Sequence, residues 1–386
     1  MNIQTAIKKY HWLKVRKEGN NEIIEMYLDH FMLSNARICE SKFYLDHMCH
    51  IKPRYDTGRR KPWFFDWGEY IHHCLEGFYH HFKEFKEPPK VDEWIGDCKI
   101  AWQDMKMDEY GEEQNVTNNK IHPSDLKRYQ EIKGWEGACG LLIEYYAFYM
   151  NMRLRIIDTE ITFGHNKEVP LGAFYLVQPS IIKKGKGKNA KTIDSYKKLT
   201  IECFLTGRID LLVDNGYKIG SIDHKNTHRF DGDEHNDYNP NDAITGYTLA
   251  CNEIIKSLDR NLYNKRPPLS AWIQHISACH PSSPRDKTKK PGPRFKTTPI
   301  DKTPEQLEEY KIRNLSTFKK IAELVFLDRQ PEWNTVMCNN IFHRECEYKP
   351  IHSQQSNVWF NIINDHYTVG ERIWDTRDMS LQGKKA

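Results

Sequence analysis

The apolar residues of this chain change their period near Ile156. Before it, "DWGEYIHHCLEGFYHHFKEF" places Ile71, Cys74, Leu75, Phe78 and Phe82 at steps of three and four, the spacing of one helix face. "NNEIIEMYLDHFM" and "SDLKRYQEIKGWEGACGLLIEYYAFYM" read the same way, the second opened by Ser124 as N-cap. After it, "LRIIDTEITFG", "GAFYLVQPSII", "LTIECFLTGRIDLLVD" and "YKIGSIDHK" alternate or are β-branched, with Gly, Pro and Asn-Gly between them. Helices return in "NPNDAITGYTLACNEIIKSL" and in "TPEQLEEYKIRNLSTFKKIAELVFL", where Thr303 and Pro304 make the entry. "LSAWIQHISACH" lies between them as a further strand. Helices before, between and after strands predict an α/β (α+β) fold, a central mixed β-sheet flanked by helices. The chain divides into an N-terminal helical region, 1–150, carrying Cys39 and His72; a sheet-bearing core, 151–280; and a C-terminal helix with a Cys/His segment, 281–386.

The 386 residues can bury a full core, and 20 Tyr, 17 Phe and 10 Trp supply its volume. No run of eighteen apolar residues occurs, so no membrane-spanning helix is expected. The N-terminal "MNIQTAIKKYHWLKVRK" lacks the pattern of a secretion signal, and a cytoplasmic protein is expected. Ten cysteines spread over such a chain read as thiols or metal ligands rather than a disulfide framework. The net charge of +4 does not by itself imply nucleic acid. Two runs are nearly free of acid, however: Ile181–Lys191, with Lys183, Lys184, Lys186 and Lys188, and Pro284–Lys296, with Lys287, Lys289 and Lys290. Each combines positive charge with Gly or Pro, the makeup of loops that touch phosphates or simply sit in solvent.

The chemistry concentrates in "LTGRIDLLVDNGYKIGSIDHKNTHRF", Leu205 to Phe230. Strand alternation points Asp223 and Lys225 to one face, with Ile222 opposite. Asn215-Gly216 is a strong hairpin signal. As a two-residue turn it sets Asp210 opposite Ser221 and makes Asp223 its diagonal neighbour, roughly 7–8 Å away. Two carboxylates so placed repel unless a cation lies between them. Mg²⁺ or Mn²⁺ suits such oxygens, with the backbone carbonyl of His224 as a third ligand. A lysine beside that site can orient water or neutralise charge on a phosphoryl group. The same residues also suit the solvated face of an ordinary hairpin.

A helix far upstream adds to this. "WGEYIHHCLEGFY" resembles the G-x-x-x-H-x-x-L-E-x-F helix of the RecB-like exonuclease branch of the PD-(D/E)xK nucleases, through Gly68, His72, Leu75, Glu76 and Phe78. In that branch G-x-I-D and D-x-K follow, as Gly207-Arg208-Ile209-Asp210 and Asp223-His224-Lys225 do here. The resemblance implies a restriction-endonuclease-like nuclease core in 151–280. It also implies His72, Asp210 and Asp223 as metal ligands beside the His224 carbonyl, and Lys225 as the catalytic lysine. Glu160 stands as a second carboxylate or as a plain strand residue. Relatives often carry Q-x-x-x-Y on the following helix; Tyr247 is present, but Ala243 stands where the Gln would be.

Many relatives also hold a four-iron cluster with one early and three late cysteines. "LSNARICESKFYLDHM" supplies Cys39, and "CNNIFHRECEYKPIH" supplies Cys338, Cys346 and, in the third late position, His352. By the resemblance these four would hold a 4Fe-4S cluster; zinc, with His343 or His352, and no metal at all are the other readings. The expectation is a divalent-metal-dependent deoxyribonuclease, an exonuclease on single strands or DNA ends in recombination or repair, whose basic loops and Tyr247 meet DNA. The alternatives are a non-catalytic nucleic-acid-binding or scaffolding protein of the same fold, and a metal-dependent hydrolase of small substrates.

Overall fold

In a computed structural model the described residues are 3–19, 21–53, 63–107, 134–184, 191–226, 242–258, 270–277, 294–334, 346–352, 354 and 358–369. They belong to two compact units, each drawn from segments distant in sequence. One comprises Met1–Thr57, Thr162–Gly207 and Pro304–Ala386, the other Gly58–Ile161 and Arg208–Thr303. The chain begins with α1 (Ile3–Lys9), β1 (Leu13–Glu18), β2 (Asn21–Asp29), α2 (His30–Ile38), α3 (Glu40–Phe43), a π-type turn (Tyr44–Met48) and β3 (Ile51–Pro53). It continues through α4 (Trp63–Phe85), α5 (Val91–Asp104), α6 (Trp135–Met152), β4 (Arg155–Phe163), β5 (Pro170–Lys184), β6 (Lys191–Asp214) and β7 (Ile219–Asn226). The remaining elements are α7 (Asp242–Leu258), β8 (Ser270–Ser277), β9 (Arg294–Asp301), α8 (Pro304–Phe326), α9 (Lys349–His352), α10 (Trp359–His366) and β10 (Tyr367–Val369).

The first unit holds a mixed sheet. β1 and β2 form an antiparallel hairpin, β2 runs parallel to β6 from Ile23↔Thr200 to Asp29↔Thr206, and β5 runs antiparallel to β6. The helix expected over "NNEIIEMYLDHFM" is therefore a strand as far as Asp29. Its apolar residues Ile23, Ile24, Met26 and Leu28 are all buried, on both faces, and such a run fits a buried strand as well as a helix. The inward face of the β5–β6 ribbon carries Leu176 against Leu199. Beside them Gln178 donates from its amide to the Phe326 carbonyl at the end of α8, 2.8 Å away.

The strands of the second unit belong to the same eight-stranded sheet, through β6. The end of β6 runs antiparallel to β7, β7 is parallel to β8, and β8 is antiparallel to β9; β4 pairs with β6. The hairpin signal at Asn215-Gly216 is correct but the loop is longer than two residues. Asp214 faces Ile219, leaving Asn215–Lys218 as the connection. Asn215 Oδ1 accepts from the backbone N–H groups of Tyr217 and Lys218, and Gly216 takes φ +92°, which favours glycine. Leu212, not Asp210, faces Ser221, so the diagonal placement is corrected: Asp210 stands one residue beyond the last ladder pair, Leu211↔Ile222, at the level of Asp223.

The core of this unit is as the spacing on α4 requires. Ile71, Cys74, Leu75 and Phe78 are buried with Trp94, Cys98 and Trp102 of α5, Leu141, Leu142, Tyr145 and Tyr149 of α6, and Leu211, Val213 and Ile222 of the strands. The helix after the β7 segment and the strand after it also form where expected, as α7 and β8. α6 begins at Trp135; Ser124 lies outside the described residues. Among the described residues no helix is long and apolar enough to cross a membrane.

Candidate metal centre

His72 sits on α4 beside the buried Ile71 and Leu75, its own side chain one-third exposed. The burial of its neighbours fixes the helix, and the helix aims the imidazole at the ends of β6 and β7. His72 Nε2 lies 3.0 Å from the His224 carbonyl oxygen, and Nδ1 lies 3.5 Å from Asp210 Oδ2. Asp210 in turn closes the end of the hairpin. Past Leu211↔Ile222 the ladder stops, and the next exposed N–H, that of His224, donates to Asp210 Oδ2 at 3.1 Å. From β4, the Thr159 hydroxyl donates to the Asp210 carbonyl at 3.1 Å, fixing the backbone that carries the carboxylate.

The His224 side chain was not expected in the site; only its carbonyl was. Its imidazole is buried, with Nδ1 3.6 Å from Asp210 Oδ2. On the far side Nε2 lies 3.0 Å from the Tyr79 hydroxyl and 3.3 Å from that of Tyr145, and the two hydroxyls also meet each other. Tyr79 follows His72 by seven residues, two helical turns, and so shares its side of α4. That spacing, with an aromatic hydroxyl facing a core histidine, was the signal in the sequence. The ligand atoms of His72, Asp210 and His224 all lie within 4.8 Å of one another, the one such group of three among the described residues.

Asp223 and Lys225 share a face, as alternation along β7 requires. Lys225 Nζ is 2.8 Å from Asp223 Oδ2 and 3.1 Å from Oδ1. Asp223 is buried and stands outside the group of three; its Oδ2 makes no hydrogen bond despite the close ammonium. Glu160, in β4, has φ +50°, a left-handed backbone rare for such a residue, and its Oε2 lies 2.8 Å from Arg208 Nε.

The family model described as the PD-(D/E)XK nuclease superfamily matches residues 32–351, most of the chain and every residue of this centre. The chain belongs to the PD-(D/E)XK nuclease superfamily. No curated protein matches it. A solved structure described as "Crystal structure of SSO0001" is similar at 12% identity, over 63% of this chain and 92% of that one, with a TM-score of 0.20.

Superfamily nucleases generally use Mg²⁺ or Mn²⁺; the grouped donors here, two imidazoles and one carboxylate, suit a transition ion such as Mn²⁺ better than Mg²⁺. His72 Nε2 lies at hydrogen-bond distance from the His224 carbonyl, so the ring N–H donates to it here; with that proton on Nδ1 instead, nitrogen and carbonyl oxygen would both be free to hold a cation. The buried Asp223 carboxylate meets positive charge already, in the Lys225 ammonium 2.8 Å from Oδ2. Burial lowers the His72 pKa, against the pull of Asp210, and so favours the neutral imidazole that ligates. Burial alone would raise the pKa of Asp210. The hydrogen bond from His224, with the charge of Lys225 adding to it, outweighs it and holds the carboxyl below the usual range. Glu160 goes the other way. Burial pushes it up to about 8, Arg208 opposing and Asp210 and Glu76 adding to the rise.

The remaining expected site residues of this nuclease-family chain are more scattered. Tyr247 is partly buried against Ile244 and Ile300 in the second unit. Lys183 and Lys184 end β5, and Lys186, Lys188, Lys287, Lys289 and Lys290 lie outside the described residues. Cys39 is buried at the start of α3. Cys346 is buried in an apolar cluster with Tyr348, Ile351 and Tyr367, with Cys49 packed against it. His352 stacks on Trp333 at 4.9 Å, and Cys338 lies outside the described residues.

Proposed function

We propose that the protein is a divalent-metal-dependent deoxyribonuclease that hydrolyses phosphodiester bonds of single strands or DNA ends, an exonuclease serving recombination or repair. The observation that carries this reading is the approach of His72 Nε2 to within 3.0 Å of the His224 carbonyl, two residues separated by 152 positions yet meeting beside the motif carboxylate of Asp210. In this reading His72, Asp210, Asp223 and the His224 carbonyl hold Mg²⁺ or Mn²⁺. The bound ion would supply Lewis-acid polarisation of the scissile phosphate and a more acidic attacking water. Lys225 leaves Asp223 to position that water or to meet the negative charge gathering on the phosphoryl oxygens. The His224 imidazole, braced by Tyr79 and Tyr145, keeps the Asp210 carboxylate turned toward the centre.

A second reading, a nucleic-acid-binding protein that keeps the fold without cutting, is favoured by Ala243 standing where relatives often carry glutamine. End-labelled single-stranded and duplex DNA incubated with Mn²⁺ or Mg²⁺ separates the two. Shortening by wild type, lost in Asp223→Ala and Lys225→Ala while both variants keep the wild-type circular dichroism, is the expected result. Equal cutting by all three proteins sinks the assignment, and binding without cutting selects the second reading. The reading of Cys39, Cys338, Cys346 and His352 as cluster ligands rests on the sequence resemblance; among the described residues Cys39, Cys346 and His352 form no group of ligand atoms. A colourless, iron-free preparation made without oxygen would remove it, and zinc in that preparation would replace it.

A further inference from the structure

The outward face of the β5–β6 ribbon in the first unit is built unlike an ordinary solvated sheet face. The register pairs Tyr175 with Thr200, Val177 with Lys198 and Pro179 with Tyr196, while the alternate pair Leu176–Leu199 turns inward. Tyr175 is 61% exposed, Val177 55% and Tyr196 73%. Single exposed apolar residues are commonplace; three in one row of a ribbon are not. Between the two tyrosine levels stands Lys198, whose Nζ lies 3.5 Å from the centroid of the Tyr175 ring. The two tyrosines are four residues apart along the ribbon, about 13 Å.

The cation of this row is Lys198, and the acids nearest it are held by other side chains. Two residues beyond Thr200 comes Glu202, which Arg16 clasps through both carboxylate oxygens at 2.8 and 2.9 Å. Its ladder neighbour Glu25 is held by Arg16 at 3.0 Å and by Lys167. Both acids are thereby engaged by cations, Arg16 holding Glu18 as well, while Lys198 lies over a ring. Flat aromatic rings alternating with cations match the base faces and phosphates of an unpaired strand, and any base offers a face to stack. A duplex keeps its bases stacked on one another and offers this row only phosphates.

We propose that the Tyr175–Lys198–Tyr196 face of the β5–β6 ribbon binds single-stranded nucleic acid, bases stacking on the tyrosines and phosphate meeting Lys198. The choice of ligand rests on the nuclease reading above. The test is fluorescence anisotropy with labelled oligothymidylate and oligouridylate in EDTA, where cleavage plays no part. Tyr175→Ala and Tyr196→Ala should each weaken binding about five- to a hundredfold, and Tyr196→Trp should retain it. Lys198→Ala should lower the slope of log affinity against log salt by about 0.7. Wild-type affinity in both alanine variants, or equal competition by duplex of the same length, overturns the proposal. So does a shift in sedimentation of Tyr196→Ala with affinity intact, which would make the face an interface between copies of the chain. A protein that binds by these residues but never cuts would leave this site standing and remove the nuclease reading instead.

Discussion

The Tyr79 hydroxyl lies 3.0 Å from Nε2 of the buried His224 imidazole, whose other nitrogen faces Asp210. This relationship fixes more than a ring. Asp210 is ionised and can only accept, which favours a proton on the near nitrogen, Nδ1, and leaves Nε2 to accept from Tyr79. Burial raises the pKa of both Tyr79 and Tyr145, so both hydroxyls keep their protons and remain donors. A core-facing histidine thus joins two buried tyrosines to the one carboxylate that also meets His72.

Tyr79→Phe should loosen that arrangement without opening the core, since only one oxygen is lost. Tyr145 remains 3.3 Å from Nε2, so the loss is partial. Nitrogen-15 NMR of the metal-free protein should find His224 protonated on Nδ1 in wild type and a mixture of tautomers in the variant. Mn²⁺ affinity by calorimetry should fall about tenfold, the lower end for a residue that orients a ligand. An unchanged tautomer with unchanged affinity would reduce Tyr79 to packing.

Mn²⁺ should raise the unfolding free energy of the wild-type protein, by about 2.7 kcal/mol at a hundred times its dissociation constant, and EDTA should reverse it. Asp210→Ala should abolish that gain. It should also cost the metal-free protein about 1–3 kcal/mol, because the His224 N–H at the end of the ladder loses its acceptor. Urea unfolding with and without Mn²⁺ separates the two effects. A variant still stabilised by Mn²⁺ to the wild-type extent would take Asp210 out of the ligand set.

What the sequence disclosed and what it hid divide along physical lines. The α4 face was legible because Ile71, Cys74, Leu75 and Phe78 bury one side only, and one-sided burial writes a period. Asp223 and Lys225 were legible because alternation along a strand needs no partner. β2 was not, because both its faces are buried and its apolar run carries no period. The Asn215–Lys218 loop was misread by two residues, since Asn-Gly fixes the sign of a hairpin but not its length once Asn215 caps two N–H groups itself. The role of the His224 imidazole is not legible along β7, because its partners, Tyr79 and Tyr145, arrive from two helices distant in sequence.

Glu160 makes stability depend on pH in an unusual direction. Its folded pKa, raised to about 8 from an ordinary 4.5, means that between those values the folded chain holds a proton the unfolded chain has released. Stability should therefore fall as pH rises through that window, by at most about 1.4 kcal/mol per unit. Arg208, which favours the ionised form, and Asp210 and Glu76, which oppose it, are the charged groups that set this value. Glu160→Gln should flatten the slope. Urea unfolding of both proteins across the window reads it, and parallel profiles would assign the pH dependence to other groups.

Gly207, three residues before Asp210, is required by packing rather than by backbone angle. A Cβ at this position would lie 2.7 Å from Phe163 Cζ, closer than carbon atoms approach, and the ring belongs to a buried side chain with little room to retreat. Gly207→Ala should cost about 1–3 kcal/mol, the usual penalty for overfilling a packed site. In a Phe163→Leu background, where the smaller side chain gives way, the same substitution should cost less. A double-mutant cycle by urea unfolding measures the difference. If the glycine substitution costs the same in both backgrounds, Phe163 is not what excludes the methyl group, and the glycine of this motif serves the chain at β6 for another reason.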